Sequence, residues 1–282
     1  MGVDLCQYGN HKINFAEKNL TEIAEEIKDK LNSIKLVNID YLKVLMNFWD
    51  NSKLEAPEVE LKNQKTGIYK EIVEEEWNWK YDIIDDYTED DDVHYKYIRF
   101  IGFRNFELEF TKDKIFFWEP PYRYFGWFHM DKFVRDQWRI YMFQIISSFG
   151  GNRAIYLPDN MMDAEIYLDE QDGIDSPFEE IENDLINQFG KNEINIDEVK
   201  EDEDFEYFID DFSGLELKNE KTVKEFQDYL WKGCIDSFIE RMGINESELD
   251  YYLREIFINN NSEKLVEDRM EKWRIEKNKE KS

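Results

Sequence analysis

Polar and apolar positions first alternate around Val3, Leu5 and Gln7, which predicts a short strand. The period then lengthens. Leu20, Ile23, Ile27, Leu31 and Ile34 recur on one helical face, and Asn19 with Glu22 three residues on has the spacing of a capping box. A second helix is predicted over 39–49, a loop over 51–65, and either period fits 66–84. The run from Asp85 to Asp92 is expected to be an exposed acidic loop.

The most strand-like stretch follows. Tyr97 to Phe103 reads as a strand, and Phe106 to Phe110 with Lys114 to Glu119 as a hairpin. Pro120 and Pro121 end that pairing, because proline has no amide proton for a ladder. Tyr122 to Phe128 is a further strand candidate. Asp131 then opens a helix carrying Phe133, Trp138, Met142, Ile145 and Phe149, closed by Gly150 and Gly151, and Ala154 to Leu157 returns to strand. Ser176, Pro177 and Glu179 mark a helix start, and Gly190 marks its end. Further on, Val223, Phe226, Leu230 and Cys234 line one helix, and Asn245 with Glu248 opens another.

These elements predict an α+β fold. A central, mostly antiparallel sheet has flanking helices in an α+β domain over 1–212, followed by a helical C-terminal region over 213–282. Trp118, Trp127, Trp138 and Phe149 are expected in the core, since large rings dominate buried area.

Charge changes this picture, because it is unevenly laid out. Residues 1–93 hold 11 basic and 22 acidic side chains, 94–157 hold 10 and 6, 158–212 hold 2 and 21, and 213–282 hold 13 and 16. One basic module thus lies between acidic neighbours, and the total is −29 over 282 residues. Aromatics make up 16%, too many for an acidic disordered chain. The abundance of Lys, Asn, Ile and Glu beside scarce alanine suggests AT-rich codons and a bacterial source. Cys6 and Cys234 form no spaced set, so reduced thiols are expected. There is no leader-like start and no apolar run of about 20 residues, so the expectation is a cytoplasmic protein away from membranes.

Candidate chemistry is sparse. Gly150-Gly151 follows a helix and precedes a strand, the reverse of a phosphate-binding loop. His11, His94 and His129 are far apart, and no cofactor motif is present. Asp159, Asp163 and Glu165 lie near a strand end, where carboxylates can hold a hard cation for hydrolysis. Residues 97–149 contain 18 aromatic rings interleaved with arginines, a pattern shared by core sheets and by single-strand nucleic-acid platforms. The net charge argues against nucleic acid. Arg135 and Arg139 lie one helical turn apart, and with Arg123 they are candidates for holding an anion: a partner's, or that of the chain's own acidic segment.

The acidic segment 158–212 is the strongest functional signal. Glu201, Asp202, Glu203 and Asp204 would steer a basic partner protein, and Phe205 and Phe208 would supply contact area. The expected function is therefore a non-enzymatic acidic binding protein, an inhibitor or immunity-type factor covering a basic surface. A metal-dependent hydrolase using the carboxylates near residue 159 is the alternative, and a nucleic-acid binder ranks below it.

Overall fold

A computed structural model describes residues 5–16, 18–51, 76–88, 93–103, 106–118, 131–158, 176–191 and 206–215. It also describes 163–164, 196–197, 199, 221–226, 229–230, 267, 270–271 and 274–275. The elements, in order, are β1 (Leu5–Gly9), α1 (Leu20–Ser33), α2 (Ile39–Asn51), β2 (Lys80–Thr88), β3 (Val93–Ile101), β4 (Glu107–Phe110), β5 (Ile115–Phe117), α3 (Lys132–Ser148), β6 (Ala154–Pro158), α4 (Phe178–Phe189) and β7 (Phe208–Asp210). The fold is α+β, built on a seven-stranded sheet of order β2-β3-β4-β5-β1-β6-β7 in which every neighbouring pair is antiparallel.

The chain divides into two compact units, one of residues Met1–Asn38 and Trp77–Lys218, the other of Ile39–Glu76 and Asn219–Ser282. The first holds the sheet with α1, α3 and α4. In the second, Leu42, Val44 and Leu45 of α2 are buried. There the Tyr41 hydroxyl donates to the Lys221 carbonyl at 2.5 Å, and its ring meets Phe226. Helical residues 223–226 start behind a capping box, in which Thr222 accepts from the Glu225 amide and Glu225 accepts from the Thr222 amide.

Strand alternation sorts the sheet into two faces. Gln7, Gly9, Leu108, Phe110, Ile115, Phe117, Tyr156 and Asp210 share one face by register. The inner stripe of α3 packs there, with Trp138, Tyr141, Met142, Ile145 and Ile146 all buried. The Trp138 indole donates to Gln7 Oε1 at 2.8 Å, so the ring is fully buried and its polar atom is satisfied. Gly9 lies where an added Cβ would come within 2.6 Å of Ile146, so the helix sits directly on the strand. On the other face, Tyr8, Ile155 and Leu157 form a second cluster with Phe178, Ile181 and Leu185 of α4.

The helix ends follow their caps. Asn19 and Glu22 form the reciprocal capping box of α1. Asp131 accepts from the Phe133 amide at the start of α3. Gly150 adopts φ +82° and donates to Ser147, and Gly151 donates to Ile146, the paired bonds of a Schellman end. Gly151 also admits no side chain, since a Cβ would lie 2.0 Å from the Asn10 carbonyl oxygen.

Three expectations need correction, and one strand was not foreseen. Residues 85–88 are strand, because Asp85 pairs with Lys96 across β2 and β3, and that pairing outweighs local acidity. The cap of α4 is Pro177 rather than Ser176, with the Pro177 carbonyl accepting from Ile181. Trp118 is 40% exposed, whereas Trp138 and Phe149 are buried. Phe117 points into the α3 face, and its neighbours Phe116 and Trp118 pair with each other at 4.2 Å on the opposite side. Finally, β7 is a strand that the acidity of its surroundings concealed. Trp127, the candidate strand 122–128 and the helix predicted from Asn245 lie outside the described residues.

Candidate functional site

The densest polar constellation joins α3 to the acidic segment. Arg135 and Arg139 sit one turn apart on α3, and Asp136 lies between them, facing the same side. Strand β7 alternates so that Phe208 and Asp210 point toward α3 while Ile209 joins the α4 cluster. Arg139 Nε donates to Asp210 Oδ2 at 2.7 Å and Nη2 donates to Oδ1 at 2.8 Å, a two-pronged contact that suits a planar guanidinium. Its remaining nitrogen donates to Asp136 at 3.1 Å. The Tyr156 hydroxyl and the Phe212 amide also donate to Asp210, at 3.2 and 2.8 Å.

The network continues outward. Lys132 Nζ lies 2.9 Å from Asp136 and 2.8 Å from Asp197, and Arg135 donates to the other oxygen of Asp197. Three cations (Lys132, Arg135, Arg139) thus meet three carboxylates (Asp136, Asp197, Asp210). Among the described residues the charges of this cluster balance, as burial demands. The side chains of Arg139 and Asp210 are 1% and 2% exposed, and Asp197 at 31% forms the wetter end.

The two arginines titrate in opposite directions for a physical reason. Burial pulls the Arg139 pKa down, but the hydrogen bonds and charge of Asp210 outweigh it and hold the guanidinium more firmly protonated than usual. Burial lowers the Arg135 pKa too, and there the half-wet Asp197 does not offset it, while the neighbouring charge of Arg139 adds repulsion. Burial raises the Tyr156 pKa well above the ordinary value, and Asp210 adds to the effect. Burial opposes ionisation of Asp197, but its bond from Lys132 prevails, and its pKa lies below the usual carboxylate range.

The other described arginines of the basic module are likewise held by the chain itself. Arg99 contacts Glu109 at 3.0 Å and Glu107 at 3.6 Å, and Arg153 bonds Glu182 while lying over the Phe178 ring.

Of the sequence candidates, Arg135, Arg139 and Phe208 come together around β7, with Phe208 buried against Tyr156. Asp163 is exposed and helical, as is its buried neighbour Ala164. Glu201, Asp202, Glu203, Asp204, Phe205, Arg123, Asp159 and Glu165 lie outside the described residues. Among the described residues, no group of three or more His, Cys, Asp or Glu is arranged to hold a metal ion. No described helix is long and apolar enough to cross a membrane. Asp136, Asp197, Asp210 and Tyr156 were not singled out from the sequence. The signal available was the spacing of Arg135, Asp136 and Arg139, which requires acidic partners as soon as that helix face is buried.

Comparison of the chain with known protein families, with curated proteins and with solved structures finds no match.

Proposed function

We propose that this chain is a non-catalytic acidic binding protein that covers a basic surface of a partner protein, in the manner of an inhibitor or immunity factor. The observation that supports this reading is the internal use of its arginines. Arg99, Arg135, Arg139 and Arg153 each bond carboxylates of the same chain. These four arginines therefore answer the protein's own acids and offer little to an external polyanion. A surplus of 29 negative charges remains to be met by solvent or by a partner.

The acids of Glu201 to Asp204 would steer encounter, and apolar side chains near them would carry the contact. The test is affinity capture from the native host with the unaltered chain and with a variant in which Glu201, Asp202, Glu203 and Asp204 are neutralised to glutamine or asparagine. A basic protein retained by the first and lost by the second is the expected result. Undiminished retention by the neutralised variant, or recovery of no basic protein, would remove the proposal.

A further inference from the structure

Among the described residues, two grooves of this acidic protein are, unexpectedly, basic. A groove of about 510 Å³ is lined by Phe15, Leu20 and Ile83 at its apolar part, with Lys18, Lys96 and Lys112 around it. Among the described residues, Asp85 is the one acidic side chain in that lining, against three lysines, whereas the whole chain holds 65 acids to 36 bases. The lysines come from three places: the loop before α1, strand β3, and the turn between β4 and β5. Their convergence is therefore a product of tertiary structure and not of a local basic run. A second groove, of about 290 Å³, shares Lys18 and adds Lys12 and Lys30, with Glu26 as the single acid among its described residues.

The lysines are loosely engaged. Lys18 contacts Glu26, Lys96 lies 3.7 Å from Asp85, and Lys112 lies 3.5 Å from Asp113. Their side chains are 42%, 52% and 75% exposed. Exposed pairs of this kind contribute little and re-form easily around another anion. The groove size falls within the range typical of small-molecule sites.

We propose that the first groove binds a small organic anion of mononucleotide size, with a phosphate held by Lys18, Lys96 and Lys112 and a flat apolar group laid against Phe15, Leu20 and Ile83. This proposal does not depend on the reading of the acidic segment as a surface for a basic protein.

The probes are AMP, inorganic pyrophosphate and adenosine, titrated into the full-length protein at low ionic strength by calorimetry and by amide chemical-shift mapping. AMP is expected to bind most tightly, with shifts at residues 15–20, 83, 96 and 112, and adenosine alone to bind at least tenfold more weakly. The triple variant Lys18→Gln, Lys96→Gln, Lys112→Gln should lose at least tenfold in AMP affinity. Ile83→Ala should weaken AMP several-fold and leave pyrophosphate unchanged. Circular dichroism checks that each variant is folded, and Lys96→Gln alone, at an exposed strand position, serves if the triple variant is not. Failure of AMP and pyrophosphate to bind at millimolar concentration would overturn the site. So would AMP affinity unaltered by the lysine changes, or shifts confined to other surfaces.

Discussion

The arginines of α3 and the lysines of the groove carry the same charge and have opposite fates. Arg139 is enclosed, with two hydrogen bonds to one carboxylate and a third to another. Lys18 and Lys96 rest on exposed acids and Lys112 on the half-buried Asp113, at the rim of an open groove. The first arrangement is structural, because removing any member leaves a buried charge without its counterion. The second is available, because each lysine can exchange one anion for another at small cost. A basic side chain in this protein cannot be read as a binding residue until its burial is known.

The largest expected effect tests the structural side. Arg139→Ala should destabilise the first unit by about 3–5 kcal/mol, since Asp210 and Asp136 remain buried without it. Denaturant unfolding measures this, and Asp210→Ala added to Arg139→Ala should recover part of the loss. A silent Arg139→Ala would erase the contrast with the lysines. Trp138→Ala, which empties the face that carries Arg139, should cost about 3–5 kcal/mol by the same measurement.

A smaller, pH-dependent effect sharpens the comparison at the groove's edge. The His11 Nε2 donates to the Thr111 carbonyl at 3.1 Å, and its Nδ1 accepts from the Ile13 amide at 3.0 Å. The ring is thus held neutral. Burial lowers its pKa below the ordinary 6.5, against the opposing pull of the Thr111 carbonyl and the charges of Asp113 and Glu179. A histidine whose folded pKa is depressed contributes stability that is fully present above 6.5 and is lost as pH falls through that value toward the folded pKa. Unfolding free energy should therefore drop as pH falls below about 7, and the drop should be shallower in His11→Gln. An identical slope in both proteins would show that His11 does not set it. The smallest effect belongs to the lysines: Lys18→Gln should shift stability by less than about 0.5 kcal/mol. A loss as large as that of Arg139→Ala would make the groove structural as well.

The sequence made the helices legible where caps and apolar period agreed. Asn19 with Glu22 opened α1, and Asp131 with Gly150 bounded α3. It was less informative where acids occupy strands. Asp85 in β2 and Asp210 in β7 look like loop residues to any hydrophobic pattern, yet one is an exposed strand residue beside Lys96 and the other is buried under Arg139. Asp210 takes its meaning from a partner 71 positions away, a relation with no local trace. The spacing of Arg135 and Arg139 pointed to carboxylates without saying whose, and Asp197 and Asp210 belong to the chain's own acidic segment. The groove lysines share no stretch of sequence, so only the fold brings Lys18, Lys96 and Lys112 together.

With these arginines spent internally, the role proposed for the outward charge is to attract a basic protein. The most direct measurement is the binding kinetics of the captured partner at low and high ionic strength. The association rate should fall steeply with added salt while the dissociation rate changes little, because long-range attraction acts on encounter. A salt-independent association rate would contradict the account.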